Sequence, residues 1–248
     1  MDQLQIEDWE FGFIEVLKRT WHFFSKNFFS FLPLIVFYFL INLPTVFIPK
    51  KNYWIFIPSL ILYFLIINNF IFILFALVVS EINIGGLFSY KRIIAKAIKI
   101  LPRAISSNFL AALVVFGFFL LFIVPGIFAM VYLQFVTPAV ALDHKKNKEA
   151  LKYSSNLVDK KYWMIFYIFI FFSILQAVPR LIFSGLFKIG WMPPNLYLSL
   201  FLYFSTLFMF FLITSFNFVG TLIIYNRLKM IPDKFQAELL NETKIPLS

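Results

Sequence analysis

Long apolar stretches, uncharged except at Arg180, alternate along this chain with shorter basic ones. The apolar stretches occupy residues 28–48, 53–80, 109–142, 162–187 and 196–226. A helix needs about 20 consecutive apolar residues to cross a hydrocarbon core about 30 Å thick, and each stretch has them. Backbone N–H and C=O groups find no water in that layer, so each stretch reads as a helix that pairs them internally. The third stretch is too long for one crossing, because its 34 residues would reach about 51 Å as a single helix. Its middle carries Val124-Pro125-Gly126-Ile127, which places Pro and Gly at the second and third positions of a type II β-turn. The pattern therefore predicts two helices joined at a structural turn made by Pro125 and Gly126. Each arm offers only about 24 Å of helix. The hairpin then either turns below the outer surface, or its first arm begins near Ala104 and buries Ser106, Ser107 and Asn108.

Positive charge distinguishes one crossing from two, since cytoplasmic loops collect Lys and Arg. If residues 109–142 cross once, the two sides carry 9 and 12 cations; if they cross and return, the sides carry 18 and 3, with Arg180 set aside. The second solution is strongly asymmetric. It predicts six membrane helices in three hairpins, with both termini on the cytoplasmic side.

Each predicted hairpin follows a basic, two-faced segment. In the first, Trp9, Phe13, Leu17, Phe24 and Phe28 mark one face, and Glu15, Arg19, His22 and Lys26 another. In the second, Leu87, Tyr90, Ile94, Ala97 and Leu101 oppose Arg92, Lys96, Lys99 and Arg103, and Pro102 is expected to end or kink that helix. The third, residues 147–161, sets Ala150, Leu151, Tyr153, Leu157 and Val158 against Lys148, Lys152 and Lys160. Such helices suit the cytoplasmic interface, where a basic side chain gains about 1 kcal/mol near anionic lipid. Arg92, Lys96, Lys99 and Arg103 are accordingly the candidate contacts to anionic headgroups.

The expected fold is all-α, a polytopic membrane helical bundle forming a single integral membrane domain over 1–248. It comprises interfacial helices at 1–27, 81–108 and 143–161, hairpins at 28–80, 109–142 and 162–226, and a cytoplasmic tail at 227–248. Composition excludes most rivals. Hydrophobic residues make up 61% of the chain and charged residues 14%, where a soluble domain has roughly 45–50% and 25%. No Cys is present, which removes disulfides, thiol catalysis and thiolate-bound zinc. The net charge of +10 would suggest nucleic acid in a soluble protein. Here it is an orientation signal, and no nucleic-acid partner is expected. The N-terminus carries Asp2, Glu7, Asp8 and Glu10, the opposite of a signal peptide's basic start, so the first apolar run is expected to stay as an anchor.

The search for chemistry returns little. There is no H-E-x-x-H, no G-x-S-x-G and no paired intramembrane Asp; Ser184-Gly185 lacks the preceding glycine. Arg180 is the one charged residue inside an apolar run, and snorkelling toward outer headgroups accounts for it more simply than binding an anionic ligand. Asp143 and His144 are adjacent at a helix exit, where a solvated pair is expected rather than a catalytic dyad. Thr214, Asn217 and Thr221 share a helix face, and Asn68, Asn69, Gln134 and Gln176 sit in other helices; interhelical hydrogen bonding is the leading explanation, a polar cavity the sharper one. No catalytic residue, cofactor or metal site is predicted, and His22 and His144 are too far apart in sequence for a shared metal.

Pro125-Gly126-Ile127, Thr137-Pro138-Ala139-Val140-Ala141-Leu142, Glu149-Ala150-Leu151-Lys152-Tyr153-Ser154 and Leu157-Val158 together form a recognisable pattern. Over about residues 85–165 the chain resembles the membrane domain attached to some bacterial glycerophosphodiester phosphodiesterases, and its stand-alone, uncharacterised inner-membrane relatives. The resemblance implies a bacterial inner-membrane protein without phosphodiesterase activity, because the fused enzymes do their chemistry in a separate soluble barrel for which this chain has no room. The resulting expectation is a non-catalytic, multi-pass protein that binds lipid or organises the envelope through its interfacial helices. The alternative is a small-solute permease or transporter subunit, with broken helices around Pro125-Gly126 and Thr137-Pro138 lining the site. Membrane lipids are the expected partners, and a second copy or another protein is left open.

Overall fold

The computed structural model describes residues 12–42, 53–85, 89–188 and 196–231. Of these residues 93% are helical, and no strand occurs among them. In chain order the helices are α1 (Phe13–Lys26), α2 (Phe28–Asn42), α3 (Tyr53–Ile84), α4 (Tyr90–Leu121), α5 (Ile123–Leu133), α6 (Val136–Asp143), α7 (Asn147–Asp159), α8 (Tyr162–Lys188) and α9 (Leu196–Met230). Five spans are long and apolar enough to cross a membrane: Leu65–Ile84, Tyr90–Leu121, Ile123–Asp143, Tyr162–Pro179 and Phe201–Met230. The bent pair α1–α2 makes a sixth if counted as one. The protein is an all-α, multi-pass membrane bundle.

A corner at Asn27 starts the fold. Its side-chain amide donates to the Phe23 carbonyl at 2.9 Å and closes α1. Its own carbonyl accepts from the Ser30 N–H at 2.9 Å and begins α2. The chain turns by 88° there. Helix α1 buries Val16, Thr20 and Phe24, one stripe at i, i+4 and i+8, against α8 and α9. Phe13 meets Phe171 edge-on at 5.5 Å and Phe24 meets Phe216 at 5.6 Å. Gly220 makes room for this crossing, since a Cβ there would lie 2.8 Å from the Phe172 ring and 3.3 Å from Thr20. Of the stripe expected from sequence, Trp9 lies outside the described residues, and Leu17 only borders the buried face.

Helix α3 is the central post. Ile73, Leu74, Phe75, Ala76, Leu77, Val78 and Val79 are all buried, so this stretch is enclosed on every side and must be apolar all round. Phe75 stacks on Phe31 of α2 at 5.7 Å and meets Phe218 of α9 edge-on at 5.7 Å.

Two expectations are corrected along α4 and α5. The second interfacial segment is not a separate helix. Instead α4 runs unbroken from Tyr90 through Pro102 to Leu121. Pro102 costs the Ile98 carbonyl its helical partner, but Ile98 and Pro102 are both exposed, where water or headgroups can meet that oxygen. The buried stripe of α4 is Ile93, Ala97, Ile100, Ala104, Ser107 and Ala111, one notch from the expected one, and Ile94 points outward. The turn also lies earlier than Pro125-Gly126. The chain reverses at Phe122, which is fully extended (φ −159°, ψ 151°), and Pro125 sits in the first turn of α5. A helix's first N–H groups have no internal partners, so Pro is at ease there. Gly126 serves packing rather than a positive φ, because a Cβ would fall 2.4 Å from Cγ of Phe119. The longer first arm removes the shortfall in span; Ser107 is fully buried, while Ser106 is exposed and Asn108 half-buried.

The returning arm is broken between α5 and α6. Across the break, the Ser154 hydroxyl of α7 accepts from the Phe135 N–H at 3.1 Å and donates to the Tyr132 carbonyl at 2.7 Å. Helix α6 ends on His144 in the left-handed region (φ 56°), with the Lys145 N–H reaching back to the Ala139 carbonyl at 3.1 Å. Helix α7 lies where the sequence put the third interfacial helix. It buries Ala150, Ser154, Leu157 and Val158, and its first residue is held by the Ser107 hydroxyl, which accepts from the Asn147 N–H at 2.8 Å.

Candidate functional site

Where α2, α3, α4, α6, α8 and α9 converge, the bundle holds a partly open cavity of about 570 Å³, within the range of roughly 300–1,000 Å³ typical of small-molecule sites. Its polar wall consists of Tyr38, Asn42, Asn68, Asn69, Asn108, Thr137, Gln176, Thr214 and Asn217. Leu65, Phe72, Leu207, Phe210, Phe211 and Phe218 supply the apolar part. Among the described residues no charged side chain lines it.

Depth follows from helical rise. At about 1.5 Å per residue, Thr137 lies roughly 9 Å along its helix from Asp143, Asn217 roughly 18 Å from Lys229 and Gln176 roughly 22 Å from Lys161. Measured from these charged flanks, the wall lies within the apolar spans, where a polar side chain is retained only with a partner or a purpose.

Most of the wall is tied together. The Asn108 amide nitrogen donates to Asn69 Oδ1 at 2.5 Å, and lies 2.9 Å from Thr137 Oγ1 and 3.0 Å from the Ala104 carbonyl. Thr137 Oγ1 lies 3.3 Å from Asn108 Oδ1, and the Asn69 amide donates to the Leu65 carbonyl at 2.6 Å. This triad joins α3, α4 and α6. Opposite it, the Tyr38 hydroxyl donates to Asn68 Oδ1 at 2.5 Å, and the Asn42 amide donates to the Tyr38 carbonyl at 2.7 Å. Thr221 supports Asn217 from one turn below, donating to its Oδ1 at 3.3 Å. The Gln176 side chain and the Asn217 amide nitrogen, by contrast, have no hydrogen-bond partner among the described residues, and both line the cavity. The wall thus offers free neutral donors and a free carbonyl to whatever enters.

Of the polar residues singled out from sequence, Asn68, Asn69, Gln176, Thr214 and Asn217 come together here. Gln134 caps α5 and Thr221 sits below; neither is in the lining. Tyr38, Asn42, Asn108 and Thr137 were not singled out as one site. Their only signal was a polar side chain in or beside an apolar run. The Arg180 side chain, Lys50, Lys51 and the tail cations beyond residue 231 lie outside the described residues.

The charge gathers at one end of the bundle. Arg92, Lys96, Lys99 and Arg103 form one exposed stripe along α4, with Lys96 3.7 Å from Glu81 of α3. Asp143 does not act with His144. It accepts from the Tyr225 hydroxyl and pairs with Lys229 at 2.5 Å, fastening α6 to α9. Burial and the Asp143 charge hold the neighbouring Tyr153 phenol above its ordinary pKa. The bonded Glu149 carboxylate raises the Lys145 ammonium. Both groups therefore keep their protons at neutral pH. No group of His, Asp and Glu suited to a metal ion occurs among the described residues.

No match to the chain is found among curated proteins or solved structures. A family model does match, over residues 42–224. That stretch holds the whole polar wall except Tyr38, and nothing in the match links the chain to the phosphodiesterase-associated membrane domains. By that match the chain belongs to the family described as a domain of unknown function (DUF7847).

Proposed function

We propose that this protein is a non-catalytic permease or transporter subunit of the bacterial inner membrane, both termini cytoplasmic, which takes up a small uncharged polar solute. The observation that carries the reading is the polar cavity between the apolar spans, whose described lining is uncharged, with the Gln176 amide on its wall and without a partner among the described residues. An ion entering there would lose its hydration and meet no counter-charge from the described lining. A hydroxyl- or amide-bearing solute would replace its water bonds with those of Asn and Gln and lay its carbon face on the Phe side chains. The break between α5 and α6 supports the same reading, since non-helical backbone is tolerated at membrane depth where it borders a cavity. The orientation rests on the charge asymmetry of the loops.

Uptake into proteoliposomes tests it. Vesicles containing the protein should swell faster than empty ones in gradients of at least one small uncharged polyol or amide, and no faster in gradients of potassium chloride. Equal swelling with and without protein across such a panel would overturn the reading.

The exposed α4 stripe supports a second role, contact with anionic headgroups through Arg92, Lys96, Lys99 and Arg103. Each cation is worth about 1 kcal/mol near such a surface, so replacing all four with Gln should reduce retention of phosphatidylglycerol by about a hundredfold or more. Unchanged retention in a lipid-binding assay would remove this role.

A further inference from the structure

A second cleft, of about 470 Å³, opens between α1, α3 and α9 at their cytoplasmic ends. Its polar lining is Lys18, Arg19, His22, Asn83, Asn226 and Arg227, over an apolar floor that includes Ile223 and Met230. Among the described residues no carboxylate lines it. The Arg19 guanidinium is committed to Glu15, donating from Nε at 2.7 Å. Lys18, His22 and Arg227 meet no acidic partner among the described residues. Arg227 near the C-terminus of α9 has a bland explanation, because cations favour the negative end of a helix dipole. Lys18 and His22 do not, since they sit within α1 and are carried to Arg227 by the Phe24–Phe216 and Thr20–Gly220 packing. Two helices distant in sequence thus deliver cations to one concave site, with two amides between them.

We propose that this cleft binds a phosphate-bearing anion, its oxygens held by Lys18 and Arg227 and by donors from His22, Asn83 and Asn226. Charge-assisted hydrogen bonds from several directions suit phosphate, and an Arg fork suits it best. The floor of Ile223 and Met230 suits the carbon atoms that follow the phosphate. Trp21 and Ile14 of α1 are 65% and 66% exposed, which presents the same helix to the interface where phospholipid headgroups lie. A phospholipid headgroup and a soluble phosphate ester share this chemistry, and the test separates them. The site is independent of the solute cavity, with which it shares no residue.

The full-length protein in neutral detergent is offered phosphatidylglycerol or phosphatidylcholine and weighed by native mass spectrometry. In parallel it is titrated with inorganic phosphate and with glycerol phosphate. Preferential retention of phosphatidylglycerol assigns the site to a headgroup, and saturable binding of the soluble phosphates alone assigns it to a free anion. In either case the Lys18→Gln/Arg227→Gln pair should weaken binding about tenfold or more, whereas Lys148→Gln/Lys152→Gln should not. Asn83→Leu keeps every cation but fills the cleft, and should weaken binding as well. No preference for phosphate in the wild type, equal loss in both cation pairs, or full binding by Asn83→Leu would each overturn the proposal.

Discussion

Replacing Gln176 with Leu should abolish most solute uptake while leaving the protein as stable as before, or more so. The two side chains have similar volume, and the Gln176 amide has no partner among the described residues, so no protein–protein hydrogen bond is lost. An unpaired amide in an apolar layer is itself a cost that Leu removes. The solute, however, loses a donor and an acceptor inside a desolvated site. A missing hydrogen bond there is worth about 1–3 kcal/mol, which translates to roughly a five- to 150-fold loss of uptake. Asn217→Leu should behave similarly, although it also strands the Thr221 hydroxyl one turn below. The informative contrast is Asn108→Leu, which should lower both quantities, because Asn69 and Thr137 lose their shared partner. Paired measurements of proteoliposome uptake and thermal unfolding distinguish the cases. Normal uptake by Gln176→Leu would mean that the cavity is not the path.

Gly126→Val should destabilise the hairpin of α4 and α5. The added Cβ would sit 2.4 Å from Cγ of Phe119 and 2.5 Å from its Cδ1, at the base of the ring, where rotation about χ2 gives no relief. Either the ring leaves its rotamer or the two helices part. Overpacking of this kind costs about 1–3 kcal/mol. Truncating the obstacle with Phe119→Ala in the same chain should recover most of that loss, and the double-mutant cycle measures the coupling. Additive effects of the two changes would show that the close approach of Gly126 to Phe119 does not hold the hairpin together.

The fold class was legible because burial in lipid imposes a long, uncharged signature that few other structures share. The cation count separated one crossing from two across residues 109–142 for the same reason, since charge is costly on the wrong side. Local geometry was less legible. Pro-Gly at the centre of an apolar run scores as a turn, yet an extended Phe122 reverses the chain and releases Pro125 into a helix start. Nothing short-range marks Phe122 for that role. Pro102 scores as a helix end, yet its neighbouring carbonyl lies at an exposed surface and the helix continues. The cavity was legible only in fragments. Asn217 and Thr214 share a face by spacing, but whether that face meets Asn69, Asn108 and Gln176 depends on how five other helices pack. The pairing of Asp143 with Tyr225 and Lys229 likewise joins residues more than 80 positions apart, beyond the reach of any spacing rule.

Ser154 makes the break beside the cavity part of the surface helix. Its hydroxyl holds both ends of the interruption, the Tyr132 carbonyl and the Phe135 N–H, and Thr137 follows two residues later. If α7 lifted from the bundle, both backbone groups would be left unpaired in an apolar setting, at about 1–3 kcal/mol each. The break and α7 are therefore mechanically joined, so that a displacement of α7 would reach the polar wall through Thr137.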